Sequence, residues 1–150
     1  MVKQPATRSV VLVVEDEPDH RMMLELLLGS YGYEVITAAS CAAGRIALHE
    51  NAIDVLLTDF FLGDGTALEL VAHLGARRPR VTIVMSGLDG PEHIERSRQN
   101  GFDAHLVKPT SLETLRDVIA EGLRKRRSGV RLAHVASAEA PAARSTRTRS

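Results

Sequence analysis

Short runs of apolar residues alternate along this chain with longer stretches in which apolar positions return every three or four residues. Val10–Val14, Glu34–Ala38, Val55–Thr58, Val81–Met85 and Ala104–Val107 are short, β-branched and bounded by turn residues, and they read as five strands. Helix signals fill the gaps. Pro18 can open a helix without losing a hydrogen bond, and Met22, Met23, Leu26 and Leu27 then recur at helical spacing until Gly29–Gly32. Ser40 is placed to cap a helix over Ala42–Glu50. Thr66 opens one carrying Leu68, Leu70, Val71 and Leu74, expected to stop only before Pro79. Pro91 opens another that ends at Asn100-Gly101. Thr110-Ser-Leu-Glu113 fits a capping box ahead of Leu115, Val118, Ile119 and Leu123.

Strands joined by helices run parallel with right-handed crossovers. The expected fold is therefore α/β, an open, doubly wound five-stranded parallel sheet with helices on both faces. In such sheets the functional site lies beyond the carboxyl ends of the strands. Composition agrees: 44 % of the 150 residues are apolar but only 3 % are aromatic, so the core is aliphatic. The apolar run Val10–Val14 is too short for a leader peptide or a membrane span, and Cys41, the one cysteine, leaves no disulfide to form. A reducing cytoplasm is the expected compartment.

The zero net charge conceals an asymmetry. Residues 1–121 carry 11 Lys and Arg against 18 Asp and Glu, a balance of −7; residues 122–150 carry 8 against 1, a balance of +7. Residues 1–8 are expected to be flexible, residues 9–127 to form the domain, and residues 128–150 to be a disordered basic tail, too small and polar to bury a core. The tail lacks aromatics for stacking on bases, and no recognition helix is evident, so nucleic acid is not the expected partner.

At the carboxyl ends of the strands stand Glu15, Asp16 and Glu17 after the first, Asp59 at the third, Ser86 after the fourth, and Lys108-Pro109 after the fifth. Clustered carboxylates repel one another and call for a cation. Oxygen donors without His or Cys neighbours select Mg²⁺ or a similar ion such as Mn²⁺. A carboxylate beside such an ion can attack phosphorus. The ion and a lysine can then neutralise the phosphoryl oxygens, where transition-state charge gathers. Singly each residue also has a plain role: Asp16 and Glu17 suit a helix start, Ser86 a loop and Lys108 a solvated surface. Glu17, His20 and Asp64 read as helix-end or surface groups.

Four segments, Val13-Val-Glu-Asp-Glu17, Asp54-Val-Leu-Leu-Thr-Asp59, Val84-Met-Ser-Gly87 and Leu106-Val-Lys-Pro109, together resemble the receiver domain of bacterial response regulators. The resemblance covers about residues 9–125. It implies a flavodoxin-like strand order 2-1-3-4-5. It implies that Asp59 is the phosphoacceptor, assisted by Ser86 and Lys108. Asp16, Asp59, Glu15 and the main-chain carbonyl of Phe61 would hold the metal. It also implies a cis bond before Pro109 and a switch formed by Ser86 and His105. A histidine kinase or histidine phosphotransfer protein would be the phosphodonor, and a downstream protein the target. Homodimers would form through the face made by the fourth helix, fifth strand and fifth helix. The chain would catalyse only its own phosphorylation and slow dephosphorylation, with no output domain of its own. A receiver-like interaction module that is never phosphorylated is the alternative. A phosphohydrolase is disfavoured because Phe61 stands where a second acid would be needed.

Some positions depart from the family pattern. His105 replaces the usual Tyr or Phe, and an imidazole is smaller and can charge near neutral pH. Gly63 stands where proline is frequent and Ala67 where glycine is, so Leu62–Thr66 is expected to be more mobile. Phe61 and Leu88 occupy the positions that orient or block the hydrolytic water. Both are apolar, which predicts slow loss of phosphate.

Overall fold

The computed structural model describes residues 7–87 and 90–127, with side chains as far as Lys125. Leu88 and the expected tail therefore lie outside the described residues. Among the described residues the elements are β1 (Val10–Val14), α1 (Pro18–Ser30), β2 (Glu34–Ala38), α2 (Cys41–Glu50), β3 (Val55–Asp59), α3 (Ala67–Val71), β4 (Val81–Ser86), α4 (Pro91–Gln99), β5 (Ala104–Val107) and α5 (Leu112–Arg127). A 3-10 turn at Gly75–Arg77 precedes β4. All strand pairs are parallel, in the order β2-β1-β3-β4-β5. The expected doubly wound α/β sheet is thus present.

Alternation along each strand divides the core into two layers. Val11, Val13, Leu57, Ile83 and Leu106 pack with Leu24 and Leu28 of α1 and Leu115 and Ile119 of α5. Leu12, Val14, Leu56 and Val84 pack on the other face with Leu48 of α2, Leu70 of α3 and Phe102. Because β1 is covered on both sides, four of its five residues are fully buried, and a continuous Val/Leu run is what that position demands. Each such side chain contributes about 1.5–3 kcal/mol when withdrawn from water. Gly44 lets α2 approach this layer closely: a Cβ there would lie 3.0 Å from Leu70 Cδ1 and 3.1 Å from Val14 Cγ2.

Three local expectations are corrected. In α1 the inward stripe is Leu24 and Leu28, whereas Met22, Met23 and Leu26 face out at 60 %, 40 % and 69 % exposure. The run Met-Met-Leu-Glu-Leu-Leu-Leu is apolar on several sides, so spacing alone does not select the buried one. At α5 the cap is Ser111, whose Oγ accepts the Thr114 N–H at 3.1 Å, while Thr110 donates back to the Val107 carbonyl. The third helix is the largest departure. Its capping box forms as a two-way pair between Thr66 and Glu69, yet the helix stops at Val71 and His73 adopts φ 63°. The expected helical stripe ends there, although Leu74 is still buried.

A left-handed conformation costs any residue with a Cβ roughly 1–2 kcal/mol, and a side chain branched at Cβ, which adopts it far more rarely than histidine, costs more again. His73→Val, at an exposed position with no packing to lose, is expected to lower Tm by roughly 4 °C or more. An unchanged Tm in a thermal melt would mean that this break in α3 is not enforced.

Candidate functional site

Parallel pairing brings the carboxyl ends of β1, β3, β4 and β5 to one edge, and two further backbone bonds carry it past the strands: Glu15 N–H donates to the Ala38 carbonyl and Lys108 N–H to the Ser86 carbonyl. Glu15 lies directly after β1, Asp59 ends β3, Ser86 ends β4 and Lys108 follows β5. One carboxylate oxygen from each of Glu15, Asp16 and Asp59 lies within 4.8 Å of the others. Lys108 Nζ stands 2.6 Å from Asp59 Oδ1 and 3.6 Å from Glu15 Oε1. The Lys108–Pro109 bond is cis.

The three acids differ in setting. Glu15 is 1 % exposed, Asp59 is half-buried, and Asp16 is open to solvent. Glu15 Oε2 accepts the Glu17 N–H at 3.1 Å, and Oε1 accepts from His20 Nδ1 at 2.6 Å. Arg21 donates to the Glu15 main-chain carbonyl at 2.9 Å. Burial alone would raise the Glu15 pKa. The Glu17 N–H, Lys108 and His20 together outweigh it and hold the carboxyl below its ordinary range. Asp59 goes the other way: burial, helped by the neighbouring Glu15, lifts it above its ordinary value despite the pairing with Lys108. Burial disfavours the Lys108 ammonium, but Asp59 and Glu15 prevail and raise its pKa.

Three negative charges and one positive leave two negative charges at this edge, which a divalent cation would balance. The donors are all oxygen and come from two strand ends, a set suited to Mg²⁺ or Mn²⁺. Beside it, Asp59, Phe60, Phe61, Ser86, Gly87 and Lys108 line a cavity of about 330 Å³. Phe61 stands 58 % exposed at its mouth and meets the Phe60 ring edge-on, with centroids 4.9 Å apart. Asp59, Asp16, Glu15, Ser86, Phe61 and Lys108 are thus gathered in one place.

The loop Leu62–Thr66 makes hydrogen bonds both within itself and to α2. Asp64 accepts the Cys41 and Ala42 N–H groups at 2.8 and 3.0 Å, capping α2 from across the site, and Leu62 N–H donates to the Gly65 carbonyl. Those two N–H bonds hold the Asp64 carboxyl below its ordinary range. Gly63 has φ 82°, which proline, fixed near −65°, cannot adopt. That explains the departure from the family's frequent proline.

His105 sits away from the acids. It is fully buried on β5, facing α4, with Nδ1 2.9 Å from the Ser97 hydroxyl. That hydroxyl also donates to the His93 carbonyl at 3.2 Å. Sequence reasoning missed Ser97, for nothing in a polar helix marks one serine as buried. It also set His20 aside as a surface group. Its place in the first turn of α1 was a signal, because helical side chains lean toward the N-terminus, here toward Glu15.

The model of the family described as "Response regulator receiver domain" matches residues 11–120. This chain belongs to the response regulator receiver family. It is 34 % identical over 122 residues to the response regulator protein PilR of Pseudomonas aeruginosa, covering 80 % of this chain and 27 % of PilR. It is 35 % identical over 125 residues to the sensor histidine kinase RcsC of Salmonella typhimurium, covering 79 % of this chain and 13 % of RcsC. The receiver thus spans about a quarter or less of these relatives' length. Among solved structures, a CheY-like receiver domain protein from Methanospirillum hungatei superposes with TM-score 0.77 at 26 % identity, covering 82 % of this chain and 99 % of that one. The chemotaxis response regulator CheY4 of Vibrio cholerae superposes with TM-score 0.72 at 26 % identity, covering 77 % and 99 %. No helix among the described residues is long and apolar enough to cross a membrane.

The raised Asp59 pKa has a signed consequence for the metal-free receiver. Above the ordinary value of 3.8 an unfolded chain has already lost this proton while the folded site still binds it. Stability is therefore lost as pH rises from there to the folded value, and stays lower above it. Asp59→Asn removes that loss. In EDTA the variant is expected to melt a few degrees above wild type at neutral pH, with the gap closing near pH 3. A variant less stable at pH 7 would contradict this electrostatic picture.

Proposed function

We propose that this receiver, over residues 9–127, takes a phosphoryl group onto Asp59 from a histidine kinase or histidine phosphotransfer protein in the cytoplasm, and thereby switches a protein-binding face. What carries this is the placement of a half-buried Asp59 between an acid cluster and the Lys108 ammonium, 2.6 Å away, beside an open cavity. Asp16 and Asp59, with Glu15 and the Phe61 carbonyl, would hold Mg²⁺ or Mn²⁺. Bound there, the ion would neutralise phosphoryl oxygens and lower repulsion between the donor and Asp59. An Asp59 carboxylate oxygen attacks phosphorus in line. A P–O bond forms, the donor's P–N bond breaks, and the imidazole leaves with the electron pair and takes up a proton. Lys108 moves from the Asp59 oxygen to a phosphoryl oxygen, and the Ser86 hydroxyl donates to another. The receiver turns over nothing but its own phosphorylation and dephosphorylation.

The donor's docking surface is suggested by the outward stripe of α1. Met23 lines a groove of about 610 Å³ shared with His20, Lys108, Pro109 and Leu112, and Met22 and Leu26 are exposed on the same helix. An exposed apolar patch beside a reacting aspartate suits the helices that would present a phosphohistidine. The response would be read on α4, β5 and α5 by a downstream protein or a second copy. There His105, already inward and bonded to Ser97, replaces the free-swinging aromatic ring of other receivers. Movement of Ser86 toward the phosphoryl group would be transmitted by breaking or shifting that bond.

Two measurements test this. Incubation with acetyl phosphate and Mg²⁺ is expected to add one phosphoryl group, seen by mass spectrometry, and Asp59→Asn should abolish it. Absence of labelling, together with no response to beryllofluoride, would favour the unphosphorylated interaction module. Phosphate loss from the labelled protein is expected to speed up roughly ten-fold in a Phe61→Asn, Leu88→Glu variant, about 1.4 kcal/mol in barrier. Unchanged or slower loss would remove the shielding role of Phe61 and Leu88.

A further inference from the structure

The first acid of the pair is a glutamate, and its longer side chain raises a question that the cluster itself leaves open. Glu15 has one more rotatable bond than an aspartate, so its carboxylate must lose more freedom before it can act on a metal. Something must hold it. The Glu17 N–H takes Oε2 and leaves Oε1 to be fixed; His20 Nδ1 lies 2.6 Å from Oε1, and Lys108 Nζ stands 3.6 Å away. A carboxylate only accepts, so Nδ1 carries the hydrogen.

His20 is itself held in place. Its backbone N–H is capped by the Glu17 carboxylate at 2.6 Å, which fixes the first turn of α1 against the end of β1. Arg21, one residue on, grips the Glu15 carbonyl from the same turn. A short chain of contacts therefore runs from Glu17 to His20 to the Glu15 carboxylate, all inside the sequence Glu15-Asp-Glu-Pro-Asp-His-Arg21. With one hydrogen bond on each oxygen, Glu15 still has lone pairs to offer toward Asp16 and Asp59, and that is the orientation in which the three carboxylates converge.

We propose that His20 is a positioning residue for the metal: by its hydrogen bond to Glu15 Oε1 it fixes that carboxylate in the orientation that receives a divalent cation. This rests on the metal-assisted phosphorylation proposed above. Outer-shell partners of this kind are worth 10–100-fold in metal affinity. His20 is 30 % exposed on a helix surface, so replacing it leaves the core intact.

The probe is Mg²⁺ alone, titrated into the full chain and followed by amide chemical shifts, with no phosphodonor present. His20→Ala is expected to raise the Mg²⁺ Kd about ten-fold. His20→Asn, whose amide N–H can take the place of Nδ1–H, is expected to stay within about three-fold of wild type. Melting in EDTA that stays cooperative in both variants, and falls by no more than a few degrees in His20→Ala, separates this from a loss of structure. Wild-type affinity or tighter binding in His20→Ala overturns the proposal, and so does an equal loss in His20→Asn. Failure of the unaltered chain to bind Mg²⁺ overturns the underlying metal reading as well, which distinguishes the two failures.

Discussion

The constraint on which this molecule turns is the crowding of Glu15, Asp16 and Asp59 at one edge of a dry sheet, offset by a single ammonium. An oxygen from each lies within 4.8 Å of the others, and Lys108 closes on Asp59 at 2.6 Å. Opposite shifts in the buried Glu15 and the half-buried Asp59 follow from it. Glu15 has enough donors to stay charged, while Asp59, partly withdrawn from water and beside another acid, holds its proton more tightly. Such a site is poised for a further positive charge, and pairing with Lys108 alone does not supply it. The instability is built in by the fold, because parallel pairing of β1 with β3 leaves their last residues nowhere else to go.

The surroundings serve that edge in different ways. The first turn of α1 furnishes the Glu17 N–H, the His20 ring and the Arg21 guanidinium to Glu15, while the outer side of the same helix presents Met22, Met23 and Leu26. One helix thus steadies an acid and offers an apolar surface next to it. Across the site, Asp64 ties the loop after β3 to the start of α2, so the chain beyond Asp59 is anchored even though Gly63 takes a left-handed conformation. On the far side the Ser97–His105 bond couples α4 to β5 through buried polar groups, a geometry in which movement of either element is felt by the other.

The strands, their parallel order and the convergence of acids, serine and lysine were legible in the sequence because each rests on a strong local signal. A five-residue Val/Leu run has few alternatives, and a charged residue at the end of such a run is conspicuous. What escaped were properties decided by partners distant in sequence. The buried side of α1 depends on the sheet beneath it, since Met22, Leu26, Leu24 and Leu28 are all apolar. The break after Val71 occurs at His73, a residue that enters the left-handed region without the glycine that would advertise it. Ser111 rather than Thr110 caps α5 because Thr110 bonds back to Val107. His20 and Ser97 looked like surface groups because their partners, Glu15 and His105, come from strand ends whose orientation is fixed only in the folded sheet.

The most direct measurement is anomalous scattering from crystals of the full chain soaked in Mn²⁺. A single strong peak is expected at about 2.1 Å from carboxylate oxygens of both Asp16 and Asp59, with Lys108 Nζ still beside Asp59. A peak elsewhere on the surface, or no peak at an ion concentration that saturates the crystal, would contradict a metal-centred acid cluster.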